Sequence, residues 1–169
     1  MSYQSGELGP DHRVDSFDCG KDDLNTWLTR NARRAQRAGT ARVYVWTHAD
    51  DPTGTVVAYF ALCPTEVVRD DDGLSRGMAG GHSRIPGYLM ARLAVDRTLH
   101  GQGVGGQLIL DAMTRIVAAA AIGGGRIVVV DAIDDDAANF YQRFGFVPVR
   151  HRPLRLVLKV SDARSHVAP

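Results

Sequence analysis

Apolar and polar residues follow regular periods along most of this 169-residue chain. Residues 24–38 carry apolar side chains at helical spacing before a glycine, which predicts a helix. Two alternating stretches, ARVYVWTH (41–48) and TVVAYFAL (55–62), flank the turn sequence DDPTG and predict an antiparallel pair of strands. Residues 1–17 have no such period and are expected to form an irregular lead-in. Residues 69–84 contain four glycines without periodicity, which predicts a mobile loop.

The second half of the chain alternates strands with helices. YLMARLAVD (88–96) predicts a strand, and a glycine-rich stretch then leads into the amphipathic helix GQLILDAMTRIVAAAA. RIVVVDAI (126–133) is continuously apolar, as expected of a buried central strand, and DDDAANFYQRF (134–144) predicts a short helix. FVPVR and LRLVLKV predict closing strands. This order predicts a mixed α/β sheet in one domain, 1–169, with loose ends at 1–13 and 161–169.

Composition narrows the class of protein without identifying it. The chain is 44% hydrophobic and has a formal net charge of +1, which is typical of a globular protein with no overall preference for anionic or cationic partners. Its two cysteines, Cys19 and Cys63, lie far apart, and no Cys or His cluster predicts a metal site. We expect reduced cysteines, no signal peptide, no membrane span and a cytoplasmic protein.

The stretch HGQGVGGQLI (100–109) is the strongest candidate for chemistry. Gly101, Gly103 and Gly106 match the dinucleotide pattern G-x-G-x-x-G, and the strand that follows ends in Asp131, where a ribose-binding carboxylate would stand. However, DRTLH separates the first strand from the glycines, and too little chain follows Asp131 for a doubly wound fold. A phosphate loop is excluded because lysine and serine or threonine are missing after the glycines. A purely structural glycine turn remains an alternative.

A third interpretation is a cradle for the diphosphate of coenzyme A, since a glycine loop at a helix start directs several N–H groups at one point. LAVDRTLHGQGVGGQLILDAM, VVVDAI and NFYQRFGF together resemble the GNAT N-acetyltransferase superfamily. Its acyl-CoA motif, Arg/Gln-x-x-Gly-x-Gly/Ala, aligns with His100, Gly103 and Gly105, so His100 departs from the usual Arg or Gln.

The resemblance implies a fold and a set of residues. The fold is a central twisted mixed sheet with splayed middle strands, flanked by helices. Acetyl-CoA is the implied cosubstrate, with no metal. The residues implied to contact it are Leu93, Ala94, Val95, His100, Gly101, Gln102, Gly103, Val104, Gly105, Gly106 and Asn139.

The resemblance also implies two catalytic groups. The Val95 N–H would polarise the thioester carbonyl, and the Tyr141 hydroxyl would protonate the departing thiolate. Tyr141 also lies one helical turn from Phe144, so packing is the alternative explanation for it. Asp134 is better explained as a helix N-cap. No side-chain base stands out, which favours an α-amine acceptor, because its pKa of about 7.7–8.0 leaves much of it neutral.

FDCGKDDLNTWL, ARLAVD and AANFYQRFGF resemble the TacT-like toxin branch of the superfamily. Such enzymes are paired with a ribbon-helix-helix antitoxin and acetylate aminoacyl-tRNA. The resemblance also implies a homodimer. Arg30, Arg33, Arg34 and Arg37 share one helix face and are candidates for tRNA binding, for antitoxin docking or for an ordinary solvated face. Two other functions remain open: acetylation of a small amine or protein N-terminus, and non-catalytic acyl-CoA-dependent regulation.

Overall fold

Seven strands form one mixed sheet in the order β1-β2-β3-β4-β5-β7-β6 in the computed structural model, which describes residues 2–167. The strands are β1 Tyr3–Glu7, β2 Arg42–His48, β3 Val56–Val68, β4 Arg84–Val95, β5 Ile127–Asp131, β6 Val147–Val149 and β7 Arg152–Lys159. The helices are α1 Asp22–Thr26, α2 Ala32–Ala38, α3 Arg69–Asp72, α4 Arg76–Ala79, α5 Val104–Gly123, α6 Asp135–Gln142 and α7 Val160–Val167. A π-helical turn, Trp27–Asn31, joins α1 to α2, and a 3₁₀ turn, Arg97–Leu99, follows β4. The predicted mixed α/β fold is confirmed.

Contacts within the chain cluster into two compact units. The first comprises the described residues up to Cys63 together with Arg92–Asp111, and the second comprises Pro64–Ala91 with the described residues from Ala112 onward. Strands β3 and β4 and helix α5 each contribute residues to both units.

In the first unit, the strands β1, β2 and β3 are antiparallel neighbours with helices on both faces. Val43 and Val45 point to one face, where they form a core with Leu28 and Ala32 of the helical segment. Trp46 points to the other face, and its indole N–H donates to the Asp111 carboxylate of α5 at 2.7 Å. Because side chains alternate along β2, one face of the strand contacts the first helical segment and the other face contacts α5.

In the second unit, β5 lies between β4 and β7. β4 and β5 pair in parallel from Gly87–Ile127 to Met90–Val130, and β5 and β7 are antiparallel. Residues 127–130 are fully buried, as the continuous apolar run predicts. A Cβ on Gly87 would lie 2.3 Å from the carbonyl oxygen of Ile127, so only glycine fits at this point of the ladder.

Three predictions about irregular segments are wrong. The lead-in over 1–17 contains β1 and the buried side chains of Leu8, Val14 and Phe17. Because β1 is held by backbone pairing to β2, its sequence YQSGE needs no apolar alternation. The predicted loose end at 1–13 is therefore ordered over its described part, and Met1 lies outside the described residues.

The segment 69–84 is not a structureless loop, since it forms α3, α4 and the start of β4, and it buries Leu74 and Ala79. The tail from Ser161 is not frayed over its described part either. Residues of α7 pack on the fold through Val160 and Ala163, two small apolar contacts that give little periodic signal. Ala168 and Pro169 lie outside the described residues.

The helix predicted over 24–38 is present, but the π-helical turn interrupts it. A π-helical turn contains an extra residue, which rotates the side chains that follow. Both cysteines are free thiols, as predicted.

By length and composition, α5 is apolar enough to cross a membrane, with a mean hydropathy of 1.3 in its most apolar window. Five of its side chains are fully buried inside the protein: Leu108, Ile109, Ala112, Met113 and Ile116. One face of α5 is therefore packed against the rest of the protein.

Candidate active site

The connection between β4 and α5 is an ordered turn held by Asp96. One oxygen of its carboxylate accepts the Thr98 N–H at 3.0 Å and the Thr98 hydroxyl at 2.9 Å. The other oxygen accepts the Asp18 N–H at 3.1 Å, and Leu99 anchors the turn by burial. This turn is the DRTLH segment, which a dinucleotide fingerprint does not have between its strand and its glycines. It fixes the point at which the glycine loop begins.

The glycine loop, residues 100–106, uses its glycines for backbone conformation. Gly101 and Gly103 have φ values of +77° and +74°, which L-residues with a side chain rarely adopt. A Cβ at either position would meet nothing within 4 Å, so the requirement is conformational rather than steric. Gly105 and Gly106 lie in the first turn of α5, where the absence of side chains leaves the backbone open to a close ligand.

The loop presents backbone N–H groups at the start of a 20-residue helix. The Gln107 N–H donates to the Gly103 carbonyl at 3.4 Å, and the amides of residues 104–106 precede this bond in the first turn. First-turn amides have no intrahelical acceptor, and the helix dipole adds positive potential there. The arrangement suits a diphosphate.

Two side chains of the loop bind the backbone of the segment that precedes the loop. His100 Nε2 lies 2.7 Å from the carbonyl oxygen of Val95, and the Gln102 side-chain amide donates to the Thr98 carbonyl at 3.2 Å. The resemblance implies that both residues contact acetyl-CoA, which stays a prediction. In the structure their side chains brace the segment between β4 and the loop.

Leu93, Ala94 and Val95 form the carboxyl end of β4. The parallel ladder with β5 ends at the Met90–Val130 pair, so these three residues lie beyond it on the strand. Ala94 is 5% exposed and packs in the core of the first unit, whereas Leu93 and Val95 are only partly buried. Side chains alternate along a strand, so Leu93 and Val95 share the other face of β4.

Tyr141 lies on α6, whose N-cap is Asp134. The Asp134 carboxylate accepts the Ala137 N–H at 2.8 Å, which confirms the predicted N-cap. Tyr141 is 8% exposed, and its ring lies 5.6 Å from that of Phe140 and 5.7 Å from that of Phe146. Asn139 is exposed on the same helix. The packing role considered for Tyr141 is therefore real for its ring.

The Tyr141 hydroxyl is available for chemistry. Within the described part of the chain, every fully buried side-chain oxygen or nitrogen has a hydrogen-bond partner, and no such bond engages this hydroxyl. The oxygen therefore keeps some access to solvent while the ring is buried. Burial alone raises the pKa of Tyr141 to about 12, so the phenol is fully protonated at neutral pH.

Asp131 is committed to an ion pair. The Arg155 guanidinium donates to both of its carboxylate oxygens, from Nε at 2.7 Å and from Nη2 at 2.8 Å. Arg155 also donates to the buried Asp72 at 3.0 Å. The two Arg155 bonds hold the pKa of Asp131 below its usual range. Asp131 therefore has a structural partner that explains its presence without a ribose.

The four arginines of the first helical segment differ in the structure. Arg33 is half-buried, and its Nη2 donates to the carbonyls of Gly9 at 3.2 Å and His12 at 2.7 Å. Arg30, Arg34 and Arg37 are exposed. Sequence spacing could not separate Arg33 from the other three, because its partners lie more than 20 residues away.

The sequence also gave no sign of a cationic stack in the first unit. Arg92 of β4 lies over the Trp27 ring at 5.2 Å, and Trp27 is stacked on Tyr59 at 6.1 Å with an interplanar angle of 8°. No group of His, Cys, Asp and Glu among residues 2–167 could hold a metal ion.

A family model described as an acetyltransferase (GNAT) domain matches residues 39–148. The chain belongs to the GNAT acetyltransferase family. The match includes the glycine loop, β5 and Tyr141, so the predicted resemblance is confirmed over the motifs that suggested it. As a GNAT acetyltransferase, the enzyme takes acetyl-CoA as its cosubstrate.

Curated relatives and solved structures cover nearly the whole chain. A "tRNA-acetylating toxin" of Mycobacterium tuberculosis is 36% identical over 90% of this chain and 89% of its own length. A "probable toxin TacT" of Sinorhizobium fredii is 29% identical over 91% and 88%. The structure of AtaT complexed with acetyl-methionyl-tRNAfMet has a TM-score of 0.88 at 27% identity and covers 98% of this chain and 99% of AtaT. AtaT bound to the C-terminus of the antitoxin AtaR and acetyl-CoA has a TM-score of 0.84 at 27% identity and covers 99% of both chains.

Proposed function

We propose that this GNAT enzyme transfers acetyl from acetyl-CoA to the α-amino group of aminoacyl-tRNA and so acts as a translation-blocking toxin. The observation that carries the proposal is the likeness, over about nine-tenths of the chain, to a protein named for acetylating tRNA. AtaT, which has been solved with acetylated methionyl-tRNA, shares the fold over almost the whole chain and supports the same acceptor. All of 1–169 then acts as one acetyltransferase domain.

Acetyl-CoA binding rests on the first-turn amides of α5 and the end of β4. The backbone of residues 101–106 binds the diphosphate, and the backbone of Leu93, Ala94 and Val95 binds the pantetheine amides. His100 holds the Val95 carbonyl at 2.7 Å and so fixes the peptide units at the end of β4. Asn139 is exposed and adds a polar contact to the coenzyme.

The reaction is a direct transfer. The neutral amine nitrogen attacks the thioester carbonyl carbon, a C–N bond forms, and the carbonyl oxygen takes negative charge that the Val95 N–H stabilises. The C–S bond then breaks and coenzyme A leaves as a thiolate. Tyr141 gives its phenolic proton to that sulfur. The nitrogen that attacked loses its extra proton to water, which leaves a neutral amide. The phenolate then recovers a proton from solvent.

A pKa of about 12 affects this role in two ways. It keeps the phenol protonated throughout the physiological range, so the acid is always loaded. It also makes the Tyr141 phenol a weak proton donor to the departing thiolate, because an ordinary thiol has a pKa of only about 8.5. The same exclusion of water that raises the tyrosine pKa raises the thiolate pKa as well, since both anions lose hydration.

The relatives support an antitoxin and tRNA as partners. AtaT binds the C-terminus of an antitoxin, and we infer a cognate antitoxin of the ribbon-helix-helix type for this chain. We also propose that the enzyme works as a cytoplasmic homodimer. The exposed Arg30, Arg34 and Arg37 are the basic surface of the first helical segment that tRNA or the antitoxin would meet.

The deciding experiment is transfer of labelled acetyl from acetyl-CoA to a total charged tRNA pool, by wild type and by Tyr141→Phe. We expect label on charged tRNA, absent after deacylation, and a decrease of roughly 10²–10⁴-fold in rate for the Phe variant with acetyl-CoA affinity unchanged. Label on small amines or peptide N-termini, with none on tRNA, would replace tRNA by one of those acceptors. Tight acetyl-CoA binding without turnover on any acceptor would indicate a regulator.

A further inference from the structure

A second cleft lies in the second unit, where the amino ends of β4 and β5 meet the carboxyl end of β7. The Arg126 N–H donates to the Pro86 carbonyl and the Val160 N–H donates to the Arg126 carbonyl, each at 2.8 Å, which joins the three strand ends. The cleft has a volume of about 500 Å³. It shares no residue with the groups assigned above to acetyl transfer.

The side chains with a formal charge that line this cleft are all basic, namely Arg84, Arg126, Lys159 and Arg164. We call these four, with His82 beside them, the basic cleft. Arg84 forms an exposed ion pair with Glu66 at 2.6 Å, and Glu66 does not line the cleft. The whole chain has a formal net charge of only +1, so the basic cleft is a local concentration of charge.

Arg126 is positioned without being neutralised. Its Nε donates to the Met78 carbonyl at 2.9 Å and its Nη2 to the Gly77 carbonyl at 3.0 Å. Carbonyl oxygens fix a guanidinium but carry no formal charge. Gly80, at φ +61°, makes the arrangement possible, because a Cβ there would lie 2.4 Å from the Arg126 Cζ.

Val160 and Ser161 line the basic cleft at the amino end of α7, the eight-residue helix that follows β7. The Val160 N–H is used by the Arg126 carbonyl and Asp162 places a carboxylate in the first turn, so the positive charge of the cleft comes from its side chains. Arg164 follows Ser161 by three residues and therefore lies on the same side of the helix.

We propose that the basic cleft binds the phosphate backbone of RNA, which rests on the proposed function and gives tRNA a contact away from its aminoacyl end. Arginine favours phosphate, because the planar guanidinium donates two parallel N–H bonds to phosphate oxygens. Arg84 shares its guanidinium with Glu66, and Arg126 uses its Nε and Nη2 on carbonyls. Arg164 is therefore the candidate for a two-pronged contact, and Lys159 and Arg126 add charge. A protein partner would call for an apolar or aromatic anchor at the centre of the interface, and the apolar side chains of this lining are confined to Pro86 and Val160.

The test compares a charge-neutralised cleft with an equally neutralised control surface. The variant is Lys159→Gln with Arg164→Gln, which spares the bonds of Arg126. The control is Arg13→Gln with Arg42→Gln, two exposed arginines of the first unit. We expect the cleft variant to bind uncharged tRNA at least tenfold more weakly at low salt, with the slope of log affinity against log salt reduced by about 0.7–0.9 for each lost phosphate contact. The control should change neither.

Activity then separates this proposal from the proposed function. The cleft variant should raise KM for charged tRNA, with kcat unchanged and with normal acetylation of a short aminoacylated fragment of the tRNA 3′ end. Unchanged tRNA affinity and salt slope would overturn the basic cleft as an RNA site, even if wild type acetylates tRNA. If wild type binds tRNA through the cleft but labels no charged tRNA, the proposed function fails and the cleft stands.

Two further ligands identify other occupants. Duplex DNA of matched length should lose less affinity than tRNA in the cleft variant. A loss confined to DNA, or confined to a polyglutamate peptide, would overturn the assignment to RNA in favour of DNA or of an acidic protein segment. Melting temperatures of both double variants should match wild type, since three of the four substituted side chains are exposed and Lys159→Gln keeps a polar side chain of similar length at a half-buried position.

Discussion

The glycine loop and the Tyr141 helix are assigned to one reaction but are built in opposite ways. The loop offers exposed backbone, and a Cβ on Gly101 or Gly103 would meet open space. Tyr141 is 8% exposed between aromatic rings, and only its hydroxyl is left for chemistry. A loop that binds a ligand through its backbone depends on its backbone conformation, whereas a proton donor on a side chain depends on a ring that packing holds in place. The two regions should therefore fail in different ways when they are changed.

The ion pairs that Arg155 of β7 forms with Asp131, at the end of the strand before the Tyr141 helix, and with Asp72 should show the largest effect on stability. Arg155→Met keeps most of the side-chain volume but leaves Asp72, 6% exposed, without its closest cation. We expect the free energy of unfolding to fall by less than the cost of an unpaired buried charge, about 3–5 kcal/mol, because Arg152 Nη1 still lies 3.7 Å from the Asp72 carboxylate. Chemical denaturation of wild type and variant measures this.

The matched control is Arg84→Met, which breaks an ion pair with Glu66 whose side chains are 69% and 53% exposed. It should cost less than about 1 kcal/mol. Asp72→Asn combined with Arg155→Met should recover part of the loss, since the buried charge is then gone. Equal losses in Arg155→Met and Arg84→Met would show that the buried network does not support this region.

The raised pKa of Tyr141 gives a second difference between the regions, visible at alkaline pH. Below pH 10, folded and unfolded chains both keep the phenol proton. Between pH 10 and about pH 12 the unfolded chain releases it while the folded chain keeps it, so the free energy of unfolding decreases as pH rises. The full loss is about 2–3 kcal/mol.

Denaturation of wild type and Tyr141→Phe at a series of alkaline pH values isolates this contribution. The burial of Tyr59 also raises its pKa, so both proteins should lose stability, but the Phe variant should lose less. Parallel curves for the two proteins would mean that Tyr141 titrates in the folded state as it does in the unfolded chain.

The contrast between the regions also explains what the sequence could predict. Positive φ demands glycine, so Gly101 and Gly103 mark the loop directly in the sequence. A buried catalytic tyrosine has the same pattern as a packed one, and only the resemblance singled out Tyr141. β1 and α7 escaped prediction because backbone pairing holds the first and two small side chains, Val160 and Ala163, anchor the second.

Contacts between residues far apart in the chain could not be predicted from the sequence. The Arg33 bonds to the Gly9 and His12 carbonyls and the Arg155 bridge between Asp131 and Asp72 join segments whose spacing carries no signal. The bond between His100 and Val95 spans only five residues, yet its formation depends on the turn that Asp96 caps.

The glycine loop should respond to a change of conformation alone. Gly103→Ala adds a methyl group that meets nothing within 4 Å but strains the backbone at φ +74°, so we expect a loss of about 1–2 kcal/mol in stability. Acetyl-CoA affinity should fall with it, because the first turn of α5 shifts. Calorimetric titration and thermal unfolding measure the two effects.

Gly6→Ala is the control for Gly103→Ala. Gly6 lies in β1 at an ordinary φ, and a Cβ there also meets nothing within 4 Å. This variant should leave stability within about 0.5 kcal/mol of wild type and acetyl-CoA affinity unchanged. If both alanine variants bind acetyl-CoA as wild type does, the positive φ of the loop is not what binding requires.

The smallest expected effect concerns the first helical segment, where the same contrast between held and exposed groups occurs in one row of arginines. Arg33→Gln removes a guanidinium that donates to two carbonyls, so we expect about 1 kcal/mol of lost stability. Arg34→Gln changes an exposed side chain and should not change stability measurably.

If tRNA lies on this surface, Arg34→Gln alone should lower the salt slope of tRNA binding, by about 0.7–0.9. An unchanged slope would assign the exposed arginines to solvent or to the antitoxin, and antitoxin affinity measured on the same variant distinguishes these two.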